Sequence, residues 1–162
     1  MKKLLLTVAL VAGMSIFAGC GSSSEKETKV STEAKKTFDA SQAKALGSEL
    51  SGSSVFADEL SEVNSDIVAN YLKLTSDDYT SIIGYKSSGA TAEEITIVEC
   101  KDGKDISEQI DSYLETQKTT YKDYNAEEVT KLDNAIIAKK GNFLILVVAN
   151  DADGAKKIVD KY

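Results

Sequence analysis

The chain has 162 residues, with 26 acidic side chains against 19 basic ones, and it lacks His, Pro and Trp. Every basic residue is a lysine, so arginine is missing too. Without His there is neither the usual general base near neutral pH nor the commonest metal ligand, and without Arg no bidentate clamp for phosphate. A net charge of −7 argues against nucleic acid as a partner. No cofactor and no metal are implied.

Residues 1–19 read as a secretion signal: Lys2 and Lys3 form a positive start, and Leu4 to Phe17 form an apolar run bounded by Ala18 and Gly19. A permanent membrane helix needs about 20 apolar residues, which this run does not reach. Phe17-Ala18-Gly19-Cys20 resembles the bacterial lipobox, in which a small pair precedes a lipidated cysteine; Phe17 stands where Leu is usual. Cys20 is therefore the expected lipidation site and the membrane, through that lipid, the expected partner. An ordinary signal peptide before a free cysteine is the alternative. Removal of residues 1–19 takes the 162-residue chain to 143 and, with Lys2 and Lys3 gone, its charge from −7 to −9.

Residues 20–37 follow as the modified cysteine and a polar tether, with a typical reach of about 25 Å for a flexible chain. Residues 38–162 are expected to form a single domain with a real core. Helical spacing over about 40–50 carries Phe38, Ala45, Leu46 and Leu50, with Asp39 or Ser41 as cap. A second short helix is suggested after Ser65 or Asp66, by Ile67, Val68, Tyr71 and Leu72.

Tyr79 to Lys86 and Glu94 to Cys100 alternate and are rich in β-branched residues, which describes an antiparallel hairpin. Asp105 with Glu108 resembles a capping box, and a helix carrying Ile106, Ile110, Tyr113, Leu114, Gln117 and Tyr121 should run to about residue 123. Asn125 with Glu128 repeats that pattern for a short helix. Asn134 to Lys139 and Asn142 to Ala149 form a second hairpin, and Asn150 or Asp151 caps a last helix. The expected fold is α+β: a four-stranded antiparallel sheet, in chain order strand, strand, helix, strand, strand, helix, with additional N-terminal helices. Phe143 to Ala149 are all apolar, so both faces of that strand must be covered, by the 40–74 segment or by another chain.

The stretch from Tyr71 onward, especially SSGATAEEITIVECKD and YNAEEVTKLDNAIIAKKGNFLILVVANDADGAKKI, resembles a family of bacterial lipoproteins known by a domain of unknown function, the one numbered 4358. The resemblance covers about the last 90 residues. It implies the envelope of a low-GC Gram-positive cell and brings no catalytic or binding residues.

Candidate chemistry is sparse. Asn150 to Gly154 has oxygen ligands at alternate positions, but Ala149 stands where an EF-hand's first ligand belongs, so helix capping is the better reading. Glu93-Glu94 and Asp77-Asp78 read as solvated loop charges, and Cys100 as a buried structural thiol. Tyr113, Gln117, Tyr121 and Tyr124 make a stripe of apolar bodies with polar tips, which suits the helix's core face and also a sugar or peptide. Ser87 and Ser88, in a long hairpin connection, give a second candidate surface. The chain is thus expected to bind an envelope protein or glycan, the alternatives being a glycan hydrolase using paired carboxylates and a structural homo-oligomer.

Overall fold

The computed structural model describes residues 37–123 and 125–162. Their elements are α1 (Ala40–Ser51), β1 (Ser61–Val63), α2 (Ser65–Tyr71), β2 (Tyr79–Lys86), β3 (Glu94–Cys100), α3 (Ser107–Lys122), α4 (Ala126–Asp133), β4 (Ile136–Lys140), β5 (Phe143–Val148) and α5 (Ala152–Asp160). The strands form one antiparallel sheet in the order β1-β2-β3-β5-β4. The expected sheet of four strands is therefore corrected to five, with β1 inserted between α1 and α2. β1 is a three-residue edge strand, Ser-Glu-Val, pairing Ser61 with Lys86 and Val63 with Gly84. Three residues are too few for an alternating pattern to stand out.

Alternation within β3 and β5 divides the core. Ile95, Ile97, Phe143, Ile145 and Val147 meet Leu46 and Leu50 of α1 and Ala155 and Val159 of α5. Val98, Leu144, Leu146 and Val148 meet Val68 of α2, Ile110 and Leu114 of α3, and Leu132 of α4. Both faces of β5 are thus covered by helices of the same chain, which explains its unbroken apolar run. The 40–74 segment covers both faces together with the later helices: α3 and α5 lie on opposite faces, joined there by α2 and α1 respectively. Coverage of β5 gives no reason to invoke a second copy.

The ends of the elements follow local chemistry. Phe38 opens the described fold by packing edge-on against Phe143, with ring centroids 5.1 Å apart. Asp39 Oδ1 accepts from Gln42 N at 3.0 Å and Asp151 Oδ1 from Gly154 N at 2.9 Å, so both aspartates are N-caps. Asp160 is paired to Lys156 at 2.6 Å, and the 150–154 segment works as a helix start. The capping boxes differ from expectation. Asp105, one residue before the N-cap Ile106 of α3, accepts from the backbone and hydroxyl of Ser107; Glu128 turns inward to Ala92, and the side chain of the N-cap Asn125 makes no cap bond.

Candidate functional site

Residues 70–73 at the end of α2 and 108–117 on α3 line a groove of about 500 Å³. Its position is set by close packing of α2 on the sheet, where a Cβ on Gly84 would lie 2.6 Å from Val68 Cγ2. Only glycine lets the helix lie this close. α2 is capped at Leu72 and followed by Lys73, whose φ of 54° is left-handed, while Leu74 N donates to Ala69 O at 2.8 Å. A lysine holds the position that most often goes to glycine, at a cost of roughly 1 kcal/mol.

The aromatic part of the groove is Tyr71 stacked on Tyr113, with centroids 6.1 Å apart and planes at 21°. Behind it, the ammonium of Lys86 lies 4.9 Å from the Tyr71 centroid and 5.1 Å from that of Tyr113, and pairs with Glu94 at 2.6 Å. Lys86 also donates to Tyr113 Oη, which in turn donates to Glu94 Oε2 at 2.7 Å. Burial first, and then the charge of Glu94, raises both phenol pKa values above the ordinary range. Both hydroxyls are therefore neutral at physiological pH. Around the rings stand Asn70, Gln109, Ser112, Thr116 and Gln117, with Lys73 and Glu108 as the only charged lining residues among the described residues. The groove offers hydrogen bonds and ring faces with no net charge.

A second cluster lies in the α4 region. Glu93 is fully buried: its carboxylate accepts from Ala57 N at 3.0 and 2.9 Å and from Asp58 N at 2.9 Å. Lys131 Nζ reaches both Glu93 and Glu128 at 3.0 Å, and Glu128 also accepts from Ala92 N at 2.8 Å. Burial lowers the pKa of Lys131, but the hydrogen bonds and charges of the two glutamates outweigh it and the net shift is upward. The reading of Glu93 and Glu94 as solvated loop charges is thereby corrected; they are 0 % and 1 % exposed and tie down different segments. A signal was present at Glu128 and Lys131. With Leu132 they occupy i, i+3 and i+4, so a charged pair sits on the helix's apolar face.

The proposed surface residues separate. Tyr113, itself buried, and half-buried Gln117 line the groove; Tyr121, buried elsewhere, donates to Thr91 O at 2.7 Å and Gly89 O at 3.3 Å, anchoring the 87–93 connection. Ser87 is half-buried, its hydroxyl donating to Thr91 O at 2.8 Å, and Ser88 is exposed away from the groove lining. Tyr124 and Cys20 lie outside the described residues. The Asp78 carboxylate closes the 75–78 turn, accepting from Thr75 N and Thr75 Oγ1 at 2.8 Å each. Cys100 is buried, and desolvation followed by the charge of Asp105 raises its thiol pKa, so it is a structural residue.

Fold and groove together define a small α+β domain with helices on both sheet faces and a neutral inter-helical cleft. Residues 53–149 match the family described as Domain of unknown function (DUF4358), and the chain belongs to that family. The match starts before Tyr71, taking in β1 and α2, and ends before α5. No curated protein and no solved structure matches the chain.

Proposed function

We propose that this protein is a lipid-anchored extracytoplasmic binding module of a bacterial cell envelope, working through the cleft between α2 and α3. The observation that carries the binding half is the cleft itself: a stacked tyrosine pair, amides and hydroxyls on its walls, and a volume of about 500 Å³, within the range of roughly 300–1,000 Å³ usual for small-ligand sites. The anchoring half rests on the charged start, the apolar run and the small pair before Cys20. No helix among the described residues is long and apolar enough to cross a membrane, so the lipid would supply the attachment. A durable anchor needs more than one acyl chain, and a diacylglyceryl cysteine provides two.

Labelling cells with a palmitate analogue tests the anchor: label on the wild type and none on Cys20→Ala is expected, and equal label on both rejects it. For binding, hydrogen exchange at residues 70–73 and 108–117 should slow when the purified full-length protein meets solubilised envelope material. Unchanged exchange there rejects the cleft as the working surface.

A further inference from the structure

We infer that the cleft between α2 and α3 takes a short uncharged glycan, an inference that rests on the binding role just proposed and adds its ligand class. Three primary amides, Asn70, Gln109 and Gln117, share the lining with the hydroxyl residues Ser112 and Thr116. Each amide offers donors and an acceptor together, which matches sugar hydroxyl and acetamido groups that also do both. Half-buried Tyr71 adds ring surface of the kind that packs against the apolar C–H face of a pyranose, and buried Tyr113 is stacked on that ring and holds it in place. The lining's one ammonium, on Lys73, is balanced by its one carboxylate, on Glu108, so an ionic ligand finds no net attraction.

Lys86 and Glu94, which would otherwise charge the floor, neutralise each other at 2.6 Å behind the rings. The floor is left aromatic and the walls polar.

The test is a nitrogen-edited NMR titration of the full-length protein in detergent micelles, with a trimer of N-acetylglucosamine in one arm and an acetylated, amidated alanine tripeptide in the other. The sugar should shift the side-chain amide signals of Asn70, Gln109 and Gln117. Tyr71→Ala and Gln117→Ala should each weaken it about tenfold, and Lys156→Ala, on α5, should not. Gln117 is only half-buried, so that variant keeps the test alive where Tyr71→Ala perturbs the fold. Absence of sugar-induced shifts in the wild type overturns the inference, as does sugar affinity equal in wild type and Gln117→Ala. A peptide that shifts these same signals while the sugar does not would remove the glycan and leave the binding role standing.

Discussion

Replacing Lys131 with Met should be the most damaging single charge removal in the domain. Its ammonium is the shared partner of Glu93 and Glu128, whose side chains are 0 % and 4 % exposed. Breaking a buried pair by deleting one partner costs about 3–5 kcal/mol, because the remaining charge stays buried without compensation. Here two carboxylates are left, but Glu93 keeps the backbone donors of Ala57 and Asp58 and Glu128 keeps that of Ala92, which places the loss near the lower end, about 3 kcal/mol. For a domain of this size that is a fall in Tm of roughly 10 °C. The sign with pH is fixed by the raised lysine pKa: the contribution is complete below the unfolded value, about 10.4, and disappears only as pH rises through the folded one, so urea melts at pH 7 read all of it. Circular dichroism melts of Lys131→Met should be compared with Lys156→Met, which breaks the exposed i, i+4 pair with Asp160 and should change stability by less than about 0.5 kcal/mol. Adding Glu93→Gln and Glu128→Gln to Lys131→Met should restore most of the loss, since the amide oxygens still accept from the backbone and no buried charge remains. A loss below about 1 kcal/mol for Lys131→Met, or no recovery in the triple variant, refutes the reasoning.

Gly84→Ala should destabilise the domain by about 1–3 kcal/mol in urea melts, because its Cβ meets Val68 Cγ2 at 2.6 Å and α2 must back away. Lys73→Gly should instead raise stability by about 0.5–1 kcal/mol, relieving the left-handed lysine, in the same measurement. The carboxyls of Asp78 and Asp105 are both held down to about 2, the first chiefly by the Thr75 backbone N–H and hydroxyl and the second chiefly by the Ser107 hydroxyl and backbone N–H. Their stabilisation is full above the unfolded aspartate value near 3.9 and is lost as pH falls through about 2; carbon-detected NMR titration should find these midpoints, and Thr75→Val should raise that of Asp78. Cys100 should react with a thiol reagent at pH 8 only slowly in the native protein and rapidly in urea, given its burial and raised pKa.

Much of the framework was legible in local patterns. β2 and β3 announce themselves by β-branched alternation and match their expected bounds, α3 by its apolar spacing, and β5 by an apolar run that requires cover on two faces. β1 was invisible because its place is fixed by pairing with Lys86 to Gly84, which no three-residue pattern encodes. The tyrosine stripe was legible only in part. Steps of four residues advance about 40° around a helix, so Tyr121 lies about 80° from Tyr113 and turns to the 87–93 connection. Tyr71, the other half of the stacked pair, comes from a different helix, and a cleft formed by two helices has no signature in either. The buried glutamates were hidden for the same reason: Glu93 and Glu94 are adjacent in the chain, yet one is held by the 57–58 backbone and Lys131, the other through its Oε2 by Lys86 and Tyr113.

The claim on which the account turns is that the anchored domain engages its ligand through the α2 and α3 cleft. Site-specific photocrosslinking in living cells tests it, with a photoreactive amino acid at Glu108 on the cleft lining or at Lys156 on α5 of the full-length protein. Envelope material should be captured from position 108 alone, and capture should fall when Tyr71→Ala is added. Equal capture from both positions, or capture at 108 that is indifferent to Tyr71, would contradict it.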